Sequence, residues 1–155
     1  MTLGRPDWGT RDLLEGILSV VKYATVEITS AELLALVAAA KTLVEAQGVG
    51  TIIDFISCEL AYDKGATTYT IGNATNLQAK LGAVAVSCVR AVTGFLDQAG
   101  DKVFMLTPVG VTAIDVSTVV NTALSLTLAS SGGEMSLGTG TVHAKVAYRV
   151  HQTGL

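Results

Sequence analysis

Alternation of apolar and polar residues is clearest near the end of the chain, over residues 141–151, TVHAKVAYRVH. Period-2 alternation puts every second side chain on the same face of an extended strand. One face would carry Val142, Ala144, Val146, Tyr148 and Val150, and the other His143, Lys145, Ala147, Arg149 and His151. This segment is therefore predicted to be a strand with its apolar face in the core.

Shorter β patterns recur along the rest of the chain, between turn segments rich in glycine and polar residues. They cover residues 20–28, 41–46, 49–65, 75–82, 101–108 and 121–130, and residues 83–92 favour strand or irregular structure. Strands do not alternate with helices of normal length, so a parallel α/β sheet is not expected. Seven or eight short strands with such turns predict an all-β sandwich or barrel.

Residues 49–65 carry apolar side chains at both odd and even positions, which predicts burial on both sides for at least half of the strand. Asp54 interrupts one of these apolar faces. An aspartate there must be paired, exposed by a bulge, or functional. A bulge or a strand end is the favoured explanation.

One helix start stands out among these strands, in the sequence ITSAELLAL at residues 28–36. Thr29 and Glu32 have the spacing of a capping box, in which each side chain bonds the backbone amide of the other residue. The helix is predicted to begin near Ser30 and to end by Ala40. Its leucines, Leu33, Leu34 and Leu36, are expected to cover one open end of the β domain.

The chain divides into an N-terminal arm, residues 1–21, and one β domain, residues 22–155. The arm begins with MTLGRPDWGT and continues with leucines and isoleucine at helical spacing, although Gly16 weakens a helix there. Trp8 has two alternative interpretations. It packs back on its own domain, or it anchors the arm to a neighbouring chain, as aromatic residues do at interfaces.

Composition narrows the class of protein. The chain has 155 residues, of which 50% are hydrophobic and 15% charged, against about 25% charged in typical soluble domains. Its surface is therefore rich in small residues, covered by other chains, or both. A net charge of −3 without a Lys/Arg cluster argues against nucleic-acid binding. The apolar runs are too short or too polar for a membrane span, and the missing signal peptide predicts synthesis in the cytoplasm.

Candidate chemistry is sparse, and we expect no catalytic residues, no cofactor and no metal. There is no G-x-S-x-G motif of a hydrolase. The segments GVG at 48–50 and GTG at 138–140 do not precede predicted helices, as a phosphate-binding loop would. His143 and His151 lie on one strand about 26 Å apart, too far to share a metal within one chain. Cys58 and Cys88 are expected to be reduced, buried thiols. An enzyme is therefore not expected.

The segments ITSAELLAL, YDKGATTYTIGN and AYRVH resemble those of capsid decoration, or cement, proteins of tailed bacteriophages. The resemblance extends from about Tyr23 to Leu155. It implies a jelly-roll-like antiparallel β-sandwich that assembles as dimers or trimers. It also implies binding to the major capsid protein on the outer surface of the virion, where coat subunits meet.

On this hypothesis the arm is a clamp across coat subunits. Its candidate interface residues are Arg5, Trp8, Leu13, Leu14 and Ile17. The alternative function is a tail- or fibre-associated β-sandwich that binds a host glycan. That alternative needs exposed aromatic side chains in loops, and Tyr62 and Tyr69 are the candidates.

Overall fold

The computed structural model describes residues 20–110 and 113–154, which form two antiparallel β-sheets around one hydrophobic core. The strands are β1 Lys22–Ile28, β2 Lys41–Val44, β3 Thr51–Asp63, β4 Ala74–Leu81, β5 Val84–Ala85, β6 Arg90–Ala91, β7 Lys102–Leu106, β8 Leu124–Ser130 and β9 Thr141–Gln152. Two short helices, α1 Ser30–Leu34 and α2 Val116–Val119, lie between them.

The first sheet has the strand order β1-β9-β3-β7, and the second has the order β2-β8-β4-β5, with β6 also paired to β4. Apart from β4, β5 and β6, strands that follow one another in the chain lie in opposite sheets. Neighbours within a sheet are therefore distant in sequence, as in a jelly roll. The predicted all-β sandwich is confirmed.

Strand β9 lies at the centre of the first sheet and matches its predicted pattern. It pairs with β1 from Lys22–Tyr148 to Ile28–Val142, and with β3 along nearly its whole length. Its predicted apolar face is buried, and the charged residues between are exposed. In β8, likewise, Leu124, Leu126 and Leu128 are buried.

Strand β3 departs from the prediction because a β-bulge interrupts it. The register with β9 shifts between Phe55 and Ser57. Before the bulge the odd-numbered residues Ile53 and Phe55 are buried, and after it the even-numbered Cys58, Leu60 and Tyr62 are buried. The buried apolar residues at both parities thus belong to one inward face, whereas Ile52 and Ile56 are only half-buried. The prediction of burial on both sides is therefore wrong.

The capped helix is confirmed. Glu32 N donates to Thr29 Oγ1 at 3.4 Å, and Thr29 N donates to Glu32 Oε2 at 2.9 Å. Hydrogen-bonded turns continue the helix as far as Ala39. Leu33 and Leu36 are fully buried in the core, and Leu34 packs against it half-buried.

Helix α2 lies between the predicted strands 101–108 and 121–130, where the sequence predicts no helix. Asp115 caps it by accepting from Ser117 N at 2.9 Å. A single turn of helix has too few residues to show a 3.6-residue period.

The arm lies almost entirely outside the described residues. Only Val20 and Val21 of the arm are described, and neither is helical. The candidate interface residues Arg5, Trp8, Leu13, Leu14 and Ile17 all lie outside the described residues, so their role stays a prediction.

Candidate functional site

The two outer faces of the sandwich differ in charge. The outer face of the first sheet, here called the charged face, carries ionisable side chains on β1, β3 and β9. They are Glu27, Asp54, Glu59, Asp63, His143, Lys145, Arg149 and His151. Among the described strands, these residues alternate with the buried positions and therefore point away from the core.

Four of these eight side chains lie directly opposite a partner of the other sign. Glu59 is opposite Lys145, and Asp54 is opposite Arg149. Asp54 Oδ2 also lies 3.4 Å from His151 Nε2, with both side chains about half exposed. Such exposed pairs contribute little to stability. Asp54 is therefore a paired surface residue beside a bulge, as the sequence favoured, and the two histidines are exposed as predicted.

The outer face of the second sheet, here called the low-charge face, is built mainly from hydroxyl, amide and alanine side chains. Its members on β2, β4 and β8 are Thr42, Asn76, Gln78, Lys80, Ser125, Thr127 and Ala129. The register places Asn76 beside Ala129, Gln78 beside Thr127, and Lys80 beside Ser125. Lys80 supplies the one charge in this set.

Three polar side chains on or beside the low-charge face already have hydrogen-bond partners within the chain. Thr127 Oγ1 donates to the backbone oxygen of Gln78 at 3.0 Å, and Gln78 Nε2 donates to that of Ser87 at 3.0 Å. Thr75 Oγ1, at a bulge in β4, donates to Ala129 O at 3.1 Å. Gln78 and Thr127 are therefore already hydrogen-bonded within the chain, which lowers the cost of removing water from these two side chains. Thr42, Asn76, Lys80 and Ser125 would need partners from whatever covers the face.

The aromatic candidates for glycan stacking are not on the surface. Tyr62 is 1% exposed and Tyr69 is 3% exposed. Their rings lie 6.2 Å apart, and Tyr62 also contacts Phe95 at 5.8 Å between ring centroids. The expectation that both tyrosines are available in loops is wrong, because they form part of the core.

The hydroxyl groups of these tyrosines have different surroundings. Tyr69 Oη donates to Gly140 O at 2.6 Å, and burial, with Tyr62 nearby, raises the pKa of Tyr69 to about 12. Tyr62 Oη is buried and has no hydrogen-bond partner within the described ranges. A Tyr62→Phe substitution would therefore remove no hydrogen bond made within the described ranges.

Both cysteines are free thiols, as predicted, but only Cys58 is fully buried. Burial, with the charge of Glu59 nearby, raises the pKa of Cys58 to about 12. Cys88 is half-buried, which corrects the prediction for that residue. Burial raises the pKa of Cys88, but hydrogen bonds with Thr107 and the charge of Arg90 outweigh it and leave the pKa below its usual value.

The described residues contain neither a metal-binding cluster nor a membrane-spanning helix. Residues 20–110 and 113–154 contain no cluster of three or more His, Cys, Asp or Glu side chains with a geometry that would hold a metal ion. None of the helices in the same ranges has the length and apolar character needed to cross a membrane.

Glu134 is a structural residue that the sequence did not reveal. Its carboxylate accepts from Val37 N at 2.9 Å and from Ala38 N at 2.7 Å, and so fastens the glycine-rich loop before β9 to the end of α1. Glu134 is 97 positions from Val37 and 96 from Ala38 in the chain, so no local motif indicates the contact.

The described part of the chain is a jelly-roll sandwich with one charged and one low-charge outer face. No protein-family model matches this chain, and no curated protein matches it. Among solved structures, a chain of the "Cyanophage Pam1 capsid asymmetric unit" is similar, with 23% sequence identity and a TM-score of 0.48. The match covers 96% of this chain and 93% of that chain. A similarity of this size carries no conclusion about function.

Proposed function

We propose that this protein is a structural virion protein that binds the outside of a bacteriophage capsid. It stabilises the shell by bridging subunits of the major capsid protein, and it acts as a homo-oligomer. Its role is binding rather than catalysis. The motivation for this class is the resemblance of residues 23–155 to decoration proteins, and the structural support comes from the low-charge face.

The low-charge face is the observation that carries the proposal. Buried centres of protein interfaces are depleted in charged residues, and this sheet surface has one charge among the residues that define it. Two of its polar side chains, Gln78 and Thr127, are bonded within the chain, which reduces the desolvation cost of burying them against coat protein. The charged face then points to water, where mixed charges keep the particle soluble.

The stabilising mechanism is mass action. A protein that binds the assembled shell and not free coat subunits shifts the equilibrium toward the shell. Many weak contacts repeated over one particle give strong total binding. The arm residues Arg5, Trp8, Leu13, Leu14 and Ile17 are a proposed second contact, reaching across the boundary between coat subunits.

The test is co-sedimentation of the full-length chain with empty shells of the major capsid protein from the phage that encodes it. Ala129→Glu adds a charge to the low-charge face at an exposed position on β8. Val103→Glu is the matched control, at an exposed position on the charged face. We expect Ala129→Glu to weaken binding at least about tenfold and Val103→Glu to bind like the unchanged chain.

Binding should also raise the temperature at which the shells disassemble, and electron cryo-microscopy should place the second sheet toward the coat. Failure of the unchanged chain to co-sediment would overturn the proposed function. Equal loss of binding in both variants would reject the low-charge face as the contact. A particle reconstruction with this chain only on the tail would favour the adhesin alternative.

A further inference from the structure

Edge strands expose unpaired backbone groups, and proteins usually shorten, bulge or cover them. The second sheet follows this rule at both of its edges. Strand β2 has four residues and a register shift between Thr42 and Val44, and β5 and β6 have two residues each. These edges offer little length for pairing with another chain.

Strand β7, at one edge of the first sheet, is also protected. Arg90 Nε donates to Met105 O at 3.1 Å, and Cys88 N donates to Thr107 O at 2.8 Å. An isolated antiparallel bridge joins Ser87 to Pro108. The segment before β6 therefore runs along β7 and occupies part of its free side.

Strand β1, at the other edge of the first sheet, has none of these protections. Its seven residues pair with β9 in one continuous register, without a bulge or a proline. Within residues 20–110 and 113–154, no strand lies on its other side. Tyr23 is 69% exposed, and the inward-facing Ala24 and Val26 are only half-buried. A long, regular edge of this kind is a template for another strand.

We infer that two copies of this chain join edge to edge through β1, in antiparallel register with Thr25 on the two-fold axis. The first sheets of both copies then form one continuous eight-stranded sheet. The inference deepens the proposed function and rests on the self-association included in it, because it names the surface through which copies join.

Two kinds of pair in this register are complementary to a second copy, whereas Lys22, on the inner side, lies opposite an apolar residue. This register pairs all seven residues of β1, beginning with Lys22 opposite the partner's Ile28. On the outer side, Tyr23 lies opposite the partner's Glu27, where a phenol can donate to a carboxylate. On the inner side, Ala24 lies opposite the partner's Val26 and extends the core. No two like charges are opposite one another, so no pair opposes the contact.

The two-fold symmetry also explains why the assembly would stop at two copies. Each β1 edge is used by the other, so the contact is isologous and closed. The axis is perpendicular to the joined sheet, because Thr25 faces the partner's Thr25 on the same side. Both low-charge faces therefore lie on one side of the dimer, which suits bivalent attachment to a shell.

The test measures the mass of the full-length chain by analytical ultracentrifugation, in the absence of any shell. Thr25→Lys and Thr25→Glu each place like charges at the axis, and Val103→Lys adds a charge to the β7 edge as control. We expect the unchanged chain and Val103→Lys to be dimers, and each Thr25 variant to dissociate at least about tenfold more readily. Mixing the two Thr25 variants should restore dimers, since opposite charges then meet.

A cysteine at the axis gives a second readout that does not depend on affinity. Antiparallel partners directly opposite one another have Cα atoms about 4.5–5.5 Å apart, within reach of a disulfide. In a Cys88→Ser background, which removes the half-buried native thiol, Thr25→Cys should therefore form covalent dimers under mild oxidation, and Val103→Cys and the Cys88→Ser chain alone should not.

A monomeric or trimeric unchanged chain would overturn the inference, whereas shell binding by that chain would still support the proposed function. Loss of dimers in Val103→Lys alone would assign the contact to β7. Monomeric Thr25 variants that do not pair on mixing would also overturn the inference.

Discussion

Glycine at position 140 is required by its neighbours rather than by its own backbone conformation. A Cβ atom there would lie 2.5 Å from Tyr62 Cε2 and 2.7 Å from the backbone oxygen of Asp63. Both contacts are shorter than van der Waals distances, and the second is with backbone, which cannot move aside easily. The backbone oxygen of Gly140 also accepts a hydrogen bond from the hydroxyl of Tyr69, so this one small residue contacts both tyrosines.

We predict that Gly140→Ala lowers the free energy of unfolding by about 1–3 kcal/mol, because added volume in a packed core strains the surrounding side chains. Gly100→Ala is the matched control, since nothing lies within 4 Å of a Cβ at that position and its φ is not positive. Urea unfolding of both variants measures the difference. A Gly140→Ala variant as stable as the control would contradict the packing shown around Tyr62.

At the scale of single elements, α1 is held by contacts at both of its ends. Glu32 closes the capping box at the start and also pairs with Lys41 at the start of β2. Glu134 accepts two amides at the other end. A helix of five residues is too short to be stable alone, so these contacts, with the burial of Leu33 and Leu36, give it its position.

Stability should depend on pH through Glu32. Hydrogen bonds from Lys41 and then Thr29 hold the pKa of Glu32 below its usual value of 4.5. A carboxyl group with a lowered folded-state pKa stabilises the fold above the unfolded-state pKa, and this stabilisation is lost as pH falls through the folded-state pKa. The unchanged chain should therefore exceed Glu32→Gln in stability at pH 7, and the difference should shrink by pH 3.

Urea unfolding at the two pH values provides the measurement for Glu32. The glutamine variant is a suitable comparison because its amide oxygen can still accept from Thr29 N, so mainly the charge is removed. An unchanged difference between the two proteins at pH 7 and pH 3 would show that ionisation of Glu32 does not contribute.

For the whole molecule, the two thiols report on different processes. Cys58 lies on the inner face of the central strand β3 and is fully buried, whereas Cys88 is half-buried beside β7. Reaction of a thiol requires access and a thiolate. Cys88 meets these conditions in the folded state better than Cys58, since its pKa is lowered and that of Cys58 is raised to about 12.

We predict that an alkylating reagent modifies Cys88 in the folded protein and reaches Cys58 only when the sandwich opens. In a Cys88→Ser variant, which isolates Cys58, the labelling rate should rise steeply with low concentrations of urea. Mass spectrometry of the labelled chain measures this rate. A labelling rate that does not respond to urea would mean that Cys58 becomes accessible through a local motion near β3.

Local patterns in the sequence were sufficient for much of this protein. The alternation in β9 and β8 and the capping box at Thr29 depend on residues a few positions apart, and each was predicted correctly. The all-β class follows from the same patterns. These features are local because side-chain period and capping are properties of one backbone segment.

Other features were decided only when distant segments came together. The bulge in β3 determines which of its residues are buried. Tyr62 and Tyr69, expected on loop surfaces, lie in the core. Glu134 binds backbone amides nearly a hundred residues away in the chain. The unlike outer faces and the open edge of β1 also depend on strand order. Neighbouring strands of a jelly roll come from distant parts of the chain, so no local pattern specifies which strands pair or which edge remains free.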